Sequence, residues 1–232
     1  MSKPGFCSIL GRLSFVIVLA AFLPGAPAMA DVIYLVSVNT SAINGVAGNL
    51  DFQFNPGTAS SQAAFVSILS FSSAGGILTG PPATLGDVTG TLPATVTIKN
   101  TTALNDYFHP FTYGASFQFQ LLVGGPAIQS PNGTATSGSK FALSLFDSLG
   151  ANTFLTTDPN GFAATADINL NGTVTTSVFP SNPRGGAPVV TFSVAGVPEP
   201  STFSFVSGSL LAIAGAVALR RKLTDGRLSN RH

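Results

Sequence analysis

The chain has 232 residues, enough for one domain or at most two, and a formal net charge of +1 with only 8% charged residues. Between Asp31 and Gly196, three basic and seven acidic residues leave a net negative charge, so this stretch lacks the basic cluster with which proteins bind nucleic acid or anionic lipid. The single cysteine, Cys7, precedes that stretch, which excludes disulfides and thiol catalysis within it.

Residues 1–30 have the pattern of a secretory signal peptide. A positively charged start is followed at 13–23 by an apolar run that is too short to span a bilayer. The small residues Ala28 and Ala30 mark a cleavage site, so we expect the mature chain to begin at Asp31. An uncleaved N-terminal anchor is the alternative interpretation.

Residues 31–196 alternate between apolar and polar side chains with a period of two, which is typical of β-strands. The clearest hairpin is predicted around Asn171-Gly172, because both turn residues tolerate a positive φ. The predicted strands are 32–38, 50–54, 63–71, 95–99, 116–123, 140–147, 163–170, 173–179 and 188–194, and the predicted loops are 72–84, 126–139 and 180–187. We therefore expect an all-β ectodomain, an antiparallel β-sandwich that is jelly-roll-like.

Candidate catalytic groups are few in this domain. His109 is its one histidine and follows Asp106 by three residues, but no Gly-x-Ser-x-Gly nucleophile elbow occurs. A glycosidase would need two aspartates, because glutamate is absent, and no pair stands out. Asp51 is expected on the polar face of a strand and Asp106 in a turn. The sequence therefore predicts a protein that is not an enzyme and needs no cofactor.

Asp167, Asn169 and Asn171 are a weak calcium candidate, because with Gly172 they fit the first half of an EF-hand loop. The twelfth position is Val178, where that loop requires a bidentate glutamate. The same residues fit a β-hairpin, which is the favoured interpretation. A calcium site built from several loops stays open.

Sugar-binding surfaces usually stack pyranose rings on exposed aromatic side chains. Tryptophan is absent and there are three tyrosines. Tyr107 and Tyr113 are expected to flank one loop with His109 between them, so these three residues are the candidate ligand loop.

The C-terminus has three parts in a fixed order. A proline-bearing linker at 197–202 is followed by an uncharged apolar run at 203–219, which is long enough for a short transmembrane helix. A basic stop at 220–222 and a tail at 224–232 come next, and the positive charges predict a cytoplasmic tail. The linker begins with Val197, Pro198, Glu199 and Pro200, and the stop consists of Arg220, Arg221 and Lys222.

This order resembles the PEP-CTERM sorting signal of Gram-negative bacteria, and the resemblance covers about residues 197–223. It implies that an exosortase, a membrane-embedded cysteine transpeptidase, recognises the motif and processes the protein at the cell envelope. Leu50–Gly57, Leu143–Asp147 and Ala166–Thr173 further resemble a group of uncharacterised PEP-CTERM proteins. A plain C-terminal anchor with a proline-rich stalk is the alternative.

The expected function is that of an exported, non-enzymatic protein of the cell surface or extracellular matrix. It would be tethered to the inner membrane before sorting, and the resemblance links it to exopolysaccharide and biofilm. Its expected partners are the exosortase, the membrane and extracellular polysaccharide, with no nucleic acid. The alternative is a lectin-like, carbohydrate-binding jelly roll, with calcium dependence left open.

Overall fold

The structure is a computed structural model, and it describes residues 30–182 and 184–196. Most of the predicted signal peptide lies outside the described residues, as do the sorting motif, the apolar run at 203–219 and the basic stop. Within the described part of the chain, no helix is both long and apolar enough to cross a membrane.

The described residues form thirteen β-strands, one short 3₁₀-helix at Ser41–Ile43 and a single turn of α-helix, α1, at Pro126–Gln129. The strands are β1 (Val32–Asn39), β2 (Ala47–Pro56), β3 (Phe65–Ala74), β4 (Ile77–Leu78), β5 (Ala83–Leu85), β6 (Val88–Gly90), β7 (Val96–Lys99), β8 (Asp106–Thr112), β9 (Ser116–Gly124), β10 (Ser139–Asp147), β11 (Ala164–Ile168), β12 (Val174–Val178) and β13 (Val190–Gly196).

Two antiparallel sheets contain these strands. Sheet A has the order β13-β1-β9-β3-β7-β6, and sheet B has the order β12-β11-β10-β2-β8-β4, with β5 also paired to β8. The chain changes sheets repeatedly, since β1 and β3 lie in sheet A whereas β2 lies in sheet B. The predicted all-β, antiparallel fold is confirmed, and its form is β-sandwich-like.

The core lies between the sheets and is rich in phenylalanine. On β2, Leu50, Phe52 and Phe54 are fully buried, as the alternation of that strand predicts. The ring of Phe52 in sheet B meets the ring of Phe119 in sheet A edge to face, with centroids 5.3 Å apart. Aromatic packing of this kind closes the core without a disulfide.

The predicted loop at 72–84 is wrong in part, because it contains the end of β3 and the short strands β4 and β5. Residues 106–112 form β8, although Pro110 lies inside it. Proline cannot donate to a β-ladder. Here the Pro110 carbonyl accepts a hydrogen bond from the Thr79 amide at 2.9 Å, and Thr79 lies in the gap between β4 and β5. The nitrogen of Pro110 points to the same side as its carbonyl, so the missing amide donor faces this gap and not a paired strand.

The predicted hairpin is confirmed, because β11 pairs with β12 from Ala164↔Val178 to Ile168↔Val174. Its turn is longer than the predicted two residues. The Gly172 amide donates to the Asn169 carbonyl at 2.9 Å, and of the two expected turn residues only Gly172, at φ 82°, has a positive φ. Glycine accepts this conformation without a steric penalty.

Truncation of Phe52 should show how strongly the fold depends on the inter-sheet aromatic contact. We expect Phe52→Ala to lower the free energy of unfolding by about 3–5 kcal/mol, because it removes buried ring area and leaves a cavity. Urea unfolding of the full-length protein measures this. Leu149→Ala is the control, since that side chain is 87% exposed, and equal midpoints for the two variants would contradict the prediction.

Candidate functional site

Tyr107 and His109 face the inside of the sandwich from β8 and are buried. His109 Nε2 lies 3.2 Å from the Gly80 carbonyl oxygen, which can only accept, so Nε2 carries the proton. Nδ1 then accepts a hydrogen bond of 2.7 Å from the Tyr107 hydroxyl. The Leu92 amide donates to the same hydroxyl at 2.9 Å. Burial lowers the pKa of His109, which keeps the ring neutral.

Tyr113 follows β8 and is also fully buried. Its hydroxyl donates to the Asn49 carbonyl at 2.7 Å and lies 3.1 Å from the Phe146 carbonyl. Burial raises the pKa of Tyr113. The prediction of a sugar-facing loop at Tyr107, His109 and Tyr113 is therefore wrong, because all three side chains lie in the core.

The calcium candidates lie on the β11–β12 hairpin, where all three side chains are engaged within the fold. Asp167 pairs with Lys140 of β10 at 3.4 Å. The Asn169 side-chain amide donates to the hydroxyls of Thr173 and Thr175, at 2.9 Å each. The Asn171 side-chain oxygen accepts from the Thr173 amide at 3.1 Å. Asn169 and Asn171 thus hold the turn, and Asp167 joins the hairpin to β10, which fits the favoured interpretation as a hairpin.

The sequence pattern missed two carboxyl groups that the sheet brings together. Asp51 and Asp106 both lie on the outer face of sheet B, Asp51 on β2 and Asp106 at the start of β8. Asp51 is only 2% exposed, and Asp106 opens a strand where a turn was expected. Asp51 Oδ2 accepts a hydrogen bond of 2.8 Å from the Gln53 side-chain amide.

One oxygen of each carboxyl, Asp51 Oδ1 and Asp106 Oδ1, is buried and has no hydrogen-bond partner. Burial, and then the neighbouring Asp106 carboxyl, raise the pKa of Asp51 to about 9. A glycosidase places its two carboxyls across a bound sugar. Asp51 is closed to solvent and cannot reach a bound sugar, so the pair is not arranged for hydrolysis.

An open cleft of about 580 Å³ lies on the outer face of sheet A, across β1, β9 and β3. This volume falls within the range of small-ligand sites. Its polar lining consists of hydroxyl and amide side chains, and no charged side chain lines it; the polar residues are Ser37, Asn39, Ser72, Ser73, Ser116 and Gln118. A lining of this kind suits a neutral, hydroxyl-rich molecule, because each group can donate and accept hydrogen bonds.

Strand register aligns the side chains of this cleft. Ser37 and Ser72 both lie opposite Gln118, which places the three in one row across the sheet. None of the three makes a side-chain hydrogen bond to another described residue. Beside this row, β3 carries an irregularity between Leu69 and Ser72, and Ser70 has a φ of 53° there. Bulges of this type re-aim side chains and are common next to binding sites.

The chain was compared with known proteins by family, by sequence and by structure. No family model, no curated protein and no solved structure matches it.

The buried, neutral state of His109 predicts a pH effect on stability. Its pKa is lowered in the folded protein, so its contribution to stability is complete above the unfolded value of about 6.5 and is lost as the pH falls from there to the lower folded pKa. We expect the stability advantage of the wild type over His109→Asn to shrink between pH 7 and pH 5. Urea unfolding of both proteins measures this, and a constant difference would contradict it; the second histidine, His232, is present in both.

Proposed function

We propose that this protein is exported and acts without catalysis at the cell surface or in the extracellular matrix. Residues 1–30 would direct export as a signal peptide. The domain at 31–196 would be a jelly-roll-like sandwich outside the membrane, and the helix at 203–219 would tether it until the sorting motif is processed. The observation that carries this proposal is the order of the C-terminal parts: the proline motif, the apolar run and the basic stop.

The described domain supports a non-catalytic role. Its histidine is buried and uses both ring nitrogens in hydrogen bonds within the fold. Within the described residues, no group of three or more histidine, aspartate or glutamate side chains could hold a metal ion. An exosortase-type transpeptidase is the proposed partner for residues 197–200, with this protein as its substrate.

Loss of the sorting motif should change the C-terminus of the exported protein. We expect the wild type to be cleaved near Pro198-Glu199-Pro200 in a host that has an exosortase, because processing requires that sequence. Replacement of these three residues by alanine should leave the tail up to His232 attached. Mass spectrometry of the exported protein measures both termini.

The control for this experiment is the Ser201→Ala, Thr202→Ala double variant, which changes adjacent residues and keeps the motif. It should be processed as the wild type is. An intact tail on the wild-type surface protein would contradict the sorting proposal and favour a plain anchor. A mature N-terminus upstream of Asp31 would contradict the predicted cleavage after Ala30.

A second candidate function is binding of a neutral polysaccharide, and the cleft on sheet A favours it. The row of Ser37, Gln118 and Ser72 crosses three adjacent strands, which lie about 4.8 Å apart in a sheet. Successive polar side chains could thus contact successive hydroxyl groups of an extended chain. The absence of charge in the lining favours neutral over acidic sugars.

A glycan array tests the second candidate. We expect the Ser37→Ala, Gln118→Ala double variant to lose binding to neutral glycans, because it removes two of the three side chains of the row without touching the core. Ser177→Ala is the control, since that exposed residue lies on β12 of the other sheet. Equal binding by both variants would reject the cleft, and no binding by the wild type would reject this function.

A further inference from the structure

The register of sheet B places two acidic side chains next to each other. Gln53 of β2 lies opposite Asp106 of β8, and Asp51 lies opposite Phe108. Asp51 and Asp106 are therefore diagonal neighbours on the outer face, a separation that side chains can bridge across an antiparallel pair. Phe108 packs against Phe146 of β10, with ring centroids 5.8 Å apart, so apolar rings occupy the same face.

The two carboxyl oxygens without a hydrogen-bond partner limit what can lie between Asp51 and Asp106. Asp51 Oδ1 and Asp106 Oδ1 have neither solvent contact nor a hydrogen-bond partner. Two ionised carboxylates in that position would repel each other and lose their hydration. A single bound proton removes this repulsion, because the protonated carboxyl then donates a hydrogen bond to the other carboxylate.

A metal ion is the competing explanation. Calcium takes six to eight oxygen ligands, and magnesium requires an octahedral shell that usually includes several waters. No third acidic or histidine side chain joins the pair within the described residues. The two oxygens are also closed to water, so the remaining ligands would have no place. A proton between the two carboxyls, unlike a metal ion, needs no cavity and no further ligands.

Other charged groups near the pair are already engaged. Lys140 of β10 and Asp167 of β11 form an ion pair at 3.4 Å. Asp87, which follows β5, lies 3.9 Å from Lys99. His109 occupies the opposite, inner side of β8. Opposite Asp51 on β10 is the neutral Ser144, and opposite Asp106 on β5 is the apolar Leu85.

We propose that Asp51 and Asp106 share one proton in the folded domain and form a pH-sensitive junction between β2 and β8. At acidic and neutral pH the shared proton joins the two strands. Its loss at alkaline pH leaves two negative charges at the start of β8. The repulsion acts next to Asn105, whose side chain donates to the Phe54 carbonyl at 3.1 Å and accepts from the Asp87 amide at 3.0 Å. Loss of the proton would therefore loosen the point where the segment 86–105 joins sheet B.

The sign of the effect follows from linkage. The pKa of Asp51 is higher in the folded protein than in the unfolded chain, so the folded state retains a proton that the unfolded state releases above about pH 4. The stabilisation is complete below that pH and is lost as the pH rises towards 9. In this window the unfolding equilibrium constant should rise by up to about tenfold per pH unit.

The test is urea unfolding of the full-length protein between pH 7.5 and 8.5, a window above the titration of a free histidine, whose pKa is about 6.5. We expect the unfolding constant of the wild type to rise with pH and that of Asp51→Asn to be nearly flat, because asparagine mimics the protonated acid. Asp106→Asn should also reduce the slope. Asp167→Asn is the control, since it removes an aspartate from the same face and should keep the wild-type slope.

Carbon-13 NMR of the aspartate carboxyl carbons provides a second readout that does not depend on unfolding. One carboxyl should titrate well above the ordinary range of about 4, and the resonance should disappear in Asp51→Asn. A wild-type slope that persists in both Asn variants, or aspartates that all titrate near 4, would overturn the proposal. A melting temperature that rises with calcium in the wild type and not in Asp51→Asn would also overturn it, because a cation would then hold the pair.

Discussion

The fold depends on the contact between Phe52 and Phe119, which joins the two sheets at their centre. Phe52 also packs against Tyr107 and Phe141, so a single side chain connects β2, β8 and β10 of sheet B with β9 of sheet A. From Phe119 the ring contacts continue through the rest of the core, in the order Phe117, Phe111, Tyr113 and Phe154. The described domain has no cysteine, and this aromatic series connects the layers where small exported domains often use disulfides.

The aromatic core also explains why the residues of the candidate ligand loop, Tyr107, His109 and Tyr113, are buried. The ring of Tyr113 is buried in the core, and its hydroxyl also satisfies a backbone group, the Asn49 carbonyl. Tyr107 and His109 do the same at the Leu92 amide and the Gly80 carbonyl. These three side chains are therefore closed to a ligand from solvent, whereas the outer face of sheet A carries the hydroxyl and amide groups of the cleft.

The alternation of apolar and polar residues was enough to predict most strands, because it marks the buried face of a strand directly, as Leu50, Phe52 and Phe54 do on β2. It failed at β8, where a loop was expected around His109 although Tyr107, His109 and Phe111 repeat with a period of two. The Asp51–Asp106 pair and the cleft on sheet A were beyond prediction from the sequence. Both arise from register between segments that are distant in the chain, and a shift of one residue would move each side chain to the other face.

Buried polar groups elsewhere in the domain show what is unusual about the acidic pair. Asn100 is buried and fully engaged: its side-chain oxygen accepts from the Ala64 amide at 2.8 Å, and its amide donates to the Gln62 carbonyl at 2.8 Å and to the Ser139 hydroxyl at 2.7 Å. Asn105 joins the segment before β8 to β2 in the same way. Neutral amides make such connections at every pH. An asparagine at position 51 would serve equally well to join β2 and β8, so what the two carboxyls add to the junction is its dependence on protons.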